Sequence, residues 1–277
     1  MNSIGIMQGR LTPRKGRPIQ FFPFDGWRSE FADAASIGLR EIEFIFDAER
    51  YEENPLWRKE GREEIRALIQ KSGVVVNTVC ADYFMVNPFF RGSTEDMRRG
   101  VGILTQLLAY ASEIGAHGVE IPFVDNSSIK TAEEEDAVFR ILTEVLPIAK
   151  KCAVWIGLET DFPPERFKAF LERFRDSSIR ANYDTGNSAG LGYDPEEELS
   201  AYGTYIGNIH IKDRKLHGTT VPLGTGDTSF GEFFSALKRL GYSGSFILQA
   251  ARGEDGGEKK EVAGQKGFLI NCLTKYS

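Results

Sequence analysis

Histidine and cysteine are scarce in this chain, whose 277 residues include three of each. Cys80, Cys152 and Cys272 lie far apart, are odd in number and never form a CxxC pair. That argues against a zinc-finger or disulfide framework and fits a reducing, cytoplasmic compartment. Excess positive charge is missing too: 34 Lys and Arg against 40 Asp and Glu give a net charge of −6. A phosphate backbone is bound by a surplus of cations, so nucleic acid is not the expected partner. No apolar run approaches membrane-spanning length, which leaves no expected membrane partner either. MNSIGIMQGR, at the N-terminus, lacks the cationic-then-apolar order of an export signal. No low-complexity linker divides the chain, and GRLTPRKGR is not a GxGxxG dinucleotide fingerprint.

What the chain does have is alternation. Short β-rich runs occur at 3–7, 41–46, 74–80, 118–122, 154–160, 179–184, 206–212 and 245–250. Most are β-branched or aromatic and end at Gly or polar residues, as buried parallel strands do. Amphipathic stretches separate them, at about 26–37, 57–72, 94–114, 131–152, 163–175, 194–203, 228–240 and 258–274. Ser93 or Thr94 suits an N-cap, and TAEEED followed by Lys150 and Lys151 complements a helix dipole. Gly38, Gly73, Gly115 and Gly241 stand where helices should stop. Eight β-then-α units at this length predict one domain, 1–277, folded as a single (β/α)8 TIM barrel.

In such a barrel the active site is built from the C-terminal ends of the strands. Read in order, those ends present Gln8 and Arg10, Glu43, Asp82, Glu120, Glu159, Asp184 and Asn187, His210, Lys212 and Asp213, then Gln249 and Arg252. Glu159, Asp184 and His210 come from the fifth, sixth and seventh strands and would converge. Two carboxylates and an imidazole without sulfur suit one divalent metal ion: Mn²⁺, Mg²⁺, Co²⁺ or Zn²⁺. Gln249 could complete the set with its amide oxygen. Any single strand-end carboxylate also has a simpler use as a helix cap, and a lone buried histidine is usually a hydrogen-bonded core residue. The ordered combination favours the metal.

YDTGN (183–187), HIKD (210–213), LGTGDTSF (223–230) and GYSGSF (241–246) resemble the xylose-isomerase-like superfamily of sugar and sugar-phosphate isomerases and epimerases. The resemblance is clearest over roughly 155–250. It implies that Glu159, Asp184 and His210 are metal ligands and that Glu159 is the catalytic acid/base. It also implies proton transfer next to a carbonyl through a metal-stabilised enediolate. Two positions depart from the pattern. Many epimerases of the superfamily have a His where this chain has Asn187, and the strand-eight Glu is Gln249. Gln249 cannot titrate, so one-base isomerisation is expected over two-base epimerisation, with Asp82, Glu43, Glu120 or Asp213 as candidate rescue bases.

Gln8, Arg10, Glu43, Asp82, Glu120, Asn187, Lys212, Asp213 and Arg252 are the expected substrate contacts. Arg10, Lys212, Arg214 and Arg252, with the glycine-rich LGTGD and RGEDGG loops, suit the anion of a sugar phosphate. The aromatic cluster QFFPFDGW (20–27) reads as core packing, a lid or an oligomer contact, so a homo-oligomer is possible on this reading. Alternatives on the same scaffold are a keto-sugar or cyclitol dehydratase and a non-catalytic sugar-binding barrel. Phosphodiester hydrolysis fits poorly, since three histidines cannot supply a histidine-rich multi-zinc cluster.

Overall fold

The alternation closes on itself. A computed structural model describes residues 2–276. Seven parallel strands come first: β1 (Ile4–Met7), β2 (Glu41–Ile45), β3 (Thr78–Cys80), β4 (Gly118–Phe123), β5 (Trp155–Thr160), β6 (Ile179–Asp184) and β7 (Ile206–Ile211). β8 (Asp213–Arg214) and β9 (Thr220–Val221) then form a small antiparallel hairpin, and β10 (Phe246–Leu248) is the eighth barrel strand. The closed order is β1-β10-β7-β6-β5-β4-β3-β2. This is a single (β/α)8 TIM barrel.

Period-two alternation divides each strand between two environments. Ile42 and Phe44 of β2, like Val119 and Ile121 of β4, are buried apolar residues of the core. Their neighbours Glu43 and Glu120 are equally buried but belong to the barrel interior. The lower end is plugged by Trp155: a Cβ at Gly118 would stand 2.2 Å from its indole ring. His117 lies at this end as well, with its ring 6.4 Å from that of Trp155.

The main helices fall where expected: α1 (Trp27–Ser36), α2 (Lys59–Ser72), α4 (Thr94–Glu113), α5 (Ala132–Cys152), α6 (Pro164–Phe174), α8 (Pro195–Tyr202), α9 (Phe230–Leu240) and α10 (Glu258–Tyr276). Ser93 is the N-cap of α4, and its reciprocal bonds with Asp96 form a capping box. Two short helices were not anticipated: α3 (Tyr83–Val86) and α7 (Thr185–Leu191). The third strand is also shorter than its apolar run. Val75 makes one bridge to Glu41, and regular pairing resumes only at Thr78.

Candidate active site

Register brings the strand ends to one level. In β5 and β4, Glu159 pairs with Pro122; in β6 and β7, Asp184 pairs with His210. Ligand atoms of Glu159, Asp184 and His210 all lie within 4.8 Å of one another. His210 Nδ1 is 3.4 Å from Glu159 Oε2 and 4.0 Å from Asp184 Oδ2. Each partner is held from behind. Glu159 accepts from Asn182 Nδ2 at 2.7 Å and Asn187 Nδ2 at 2.5 Å. Asp184 divides its labour: Oδ1 caps α7 through the amides of Gly186 and Asn187, leaving Oδ2 for the site. The capping use and the site use coexist in one carboxylate. Hard oxygen donors, one imidazole and second-layer amides together fit a divalent cation.

Lys212 stands beside this cluster. Its ammonium is 3.2 Å from Asp184 Oδ2 and from Asn187 Oδ1, and 3.4 Å from Gln249 Oε1. Gln249 donates onward to Gln20 Oε1 at 2.9 Å, and Gln20 donates to Asp82 Oδ2 at 2.7 Å. The Gln249 oxygen therefore faces the Lys212 ammonium.

A mouth cavity of about 570 Å³ opens above them. Of the anticipated residues, Arg10, Asp82, Glu120, Glu159, Asn187, His210, Lys212 and Gln249 line it. Arg214, anticipated as a partner for an anion, lines it as well, together with Gln20, Asp47, Ile19 and Val86, which were not anticipated. Four anticipated substrate contacts are placed elsewhere. Gln8 lies in the barrel wall, its Oε1 accepting from the Ile45 amide. Glu43 is fully buried behind His210, with Oε2 2.9 Å from Nε2. Asp213 turns into its own loop and accepts the amides of Gly224, Gly226 and Thr228. Arg252 donates to the carbonyls of Ile19 and Thr12 and packs over Phe21, tying down the segment after β1.

The amides expected to cradle an anion are thus largely occupied. Asp213 takes two amides of the LGTGD loop, and in RGEDGG the amides of Gly256 and Gly257 bond to Glu258 and Glu254. The aromatic cluster is mainly core, with Phe21, Phe22 and Trp27 buried.

Residues 31–271 match the sequence profile of the xylose isomerase-like TIM barrel family. The chain belongs to that family. Among its relatives, a putative L-ribulose-5-phosphate 3-epimerase from Haemophilus influenzae is 25% identical over 239 residues, covering 80% of this chain and 83% of its own. An L-ribulose-5-phosphate 3-epimerase from Escherichia coli O1:K1 is 25% identical over 233 residues, covering 80% and 81%. The fold matches that of D-psicose 3-epimerase from Clostridium cellulolyticum H10 at a TM-score of 0.75 and 15% identity, over 98% of this chain and 99% of the other. It matches the IOLI protein, solved with a zinc atom, at 0.76 and 18% identity over 99% of both chains.

Within this xylose isomerase-like barrel, electrostatics separates two carboxyls. Burial alone would raise Glu159, but the hydrogen bond and charge of His210, Lys212 nearby and the Asn182 donor bring it below its ordinary value. Glu120, two residues below Glu159's strand partner, goes the other way: burial first, then the Glu159 charge, raise it well above the carboxylate range. Neither Glu120 oxygen has a hydrogen-bond partner among the described residues. Asp82 is pushed up to about 6 by burial, against the Gln20 hydrogen bond. Cys80, beside it, is held as a thiol by burial and the Asp82 charge.

Strand-end reading missed Asn182, Asn208 and Gln20. The first two were within reach: each lies two residues before a site residue, Asp184 or His210, and so on the same inward face. Gln20 arrives from a loop and carries no such signal.

Proposed function

We propose that this protein is a divalent-metal-dependent sugar or sugar-phosphate isomerase or epimerase that moves a proton next to a carbonyl, with Glu159 as base. The enzyme class, isomerase, rests on relatives named as sugar epimerases. The observation that carries the mechanism is the Glu159–Asp184–His210 cluster, ligand atoms within 4.8 Å, of which Glu159 and His210 line the mouth cavity. These three side chains would hold the ion. Once bound, a divalent cation polarises a ketose carbonyl and makes the adjacent C–H more acidic.

The remaining work falls to the chain's own groups. Glu159 is ionised, fixed by Asn182 and Asn187, and suited to take that proton. Glu120, whose carboxyl burial and the Glu159 charge raise well above its ordinary value, faces the same cavity and is suited to donate to a developing oxyanion or to carbon. Two carboxyls with opposed shifts are the usual pattern of an acid/base pair. Of the four candidate rescue bases, Glu43 is spent on His210 and Asp213 on its loop. Glu120 and Asp82 remain. Arg10, Lys212 and Arg214 line the mouth and suit a phosphate group as side-chain donors.

The test is exchange in deuterated water with Mn²⁺-loaded protein and a panel of pentuloses, hexuloses and their phosphates. Deuterium at C3 with epimer formation identifies an epimerase, while aldose formation identifies an isomerase. Glu159→Gln should lower either rate about 10²–10⁴-fold with the fold intact. No exchange from any of these sugars would sink the proposal.

A further inference from the structure

The strongest unassigned feature is the closed polar network beneath the cluster. β2 is separated from β7 by β1 and β10, yet Glu43 reaches across the barrel interior to His210. The Nε2–Oε2 distance is 2.9 Å, between side chains 1% and 0% exposed. Asn208 Nδ2 donates to both Glu43 oxygens, at 3.3 and 3.1 Å, and to Asn182 Oδ1 at 2.9 Å. Asn182 in turn donates to Glu159 and lies 3.2 Å from His210 Nδ1. No other acceptor for His210 Nε2 is present among the described residues.

We propose that Glu43 is a positioning residue: it holds the Nε2–H of His210 and thereby presents Nδ1 to Glu159, Asp184 and the mouth. Two ring nitrogens are chemically distinct, and the one that bonds to a buried acceptor decides which remains for a ligand. His210 cannot rotate without breaking its bond to a fully buried carboxylate oxygen. Through Asn208 and Asn182, the same carboxylate is linked to Glu159, so one buried group orients two members of the cluster. As a metal-ligand device this rests on the metal reading above, although the hydrogen bond itself does not.

The experiment compares wild type, Glu43→Gln and Glu43→Leu. Mn²⁺ affinity is read from free Mn²⁺ by electron paramagnetic resonance, and site geometry from the visible spectrum of the Co²⁺ form. Glu43→Leu should lose about 10–100-fold in affinity and change the Co²⁺ spectrum. Glu43→Gln keeps an oxygen acceptor and should stay within a few-fold of wild type. Wild-type affinity and an unchanged spectrum in Glu43→Leu would overturn the proposal. Should Glu43→Leu fail to fold, nitrogen-15 NMR of the wild type decides: a protected imidazole proton is expected on His210 Nε2, and its absence overturns the assignment. A wild type that takes up no Mn²⁺ overturns the metal reading, while the imidazole proton still decides the role of Glu43.

Discussion

At the scale of single residues, His210 carries the most consequential chemistry. Burial would lower its basicity, but the charges and hydrogen bonds of Glu43 and Glu159 raise it well above its ordinary value. Without metal the ring therefore holds a proton more firmly than a free imidazole does, and a metal ion competes with that proton for Nδ1. The sign follows directly. Lower pH favours the proton, so Mn²⁺ affinity should fall about tenfold per pH unit below His210's folded value and keep rising past pH 6.5. Affinity titrations between pH 5.5 and 8.5 would check this. A flat profile would mean that the ring is neutral before metal arrives. Asp184 offers a second lesson, since its helix-capping role was legible from the turn-like TGN that follows it. That one oxygen caps while the other faces the site was not, because the division depends on Lys212 and His210 arriving from β7 and the residue that follows it.

At the scale of elements, strands and helices followed from periodicity, whereas the loops did not. Lys212 and Asp213 are adjacent, yet one enters the cavity and the other leaves it, as alternation after β7 requires. Asp213 then gathers three amides from 224–228 and fixes the loop that precedes α9. Asp213→Ala should leave three amides without their acceptor, those of half-buried Gly226 and Thr228 and of exposed Gly224, and cost about 1–2 kcal/mol. Urea unfolding would measure the loss, and limited proteolysis should cut between 215 and 228 sooner than in wild type. Unchanged stability and cleavage would show that the loop is held by other contacts. The short α7 was missed for a related reason: glycine and asparagine after a strand read as a turn, and its capping by Asp184 is not a sequence periodicity.

At the scale of the whole molecule, the site joins strands that are distant in sequence but neighbours in the barrel. β5, β6 and β7 each supply one ligand candidate, and β2 supplies support from the opposite wall. An ion held by all three strands binds the folded state only. At 100 times its dissociation constant it should add about 2.7 kcal/mol, which for a chain of this size is a melting-temperature rise of several degrees. Calorimetry with and without Mn²⁺ would show the rise in wild type and its loss in His210→Ala. An equal rise in both would place the ion elsewhere.

The sequence by itself determined the barrel and the three-residue cluster. Those depend on alternation and on residues at strand ends, and both are local, periodic signals. Only the tertiary structure decided what stands behind and beside that cluster. Glu43, Asp213 and Arg252 occupy strand ends or the loops after them much as Glu159 does, yet one orients a histidine, one organises a loop and one ties down the segment after β1. Gln249, the amide at the end of the eighth strand, faces the mouth as its position implied, with its oxygen on Lys212. The reason is physical: strand spacing fixes the face on which a side chain emerges, but its partner is set by how far the chain reaches across a closed barrel.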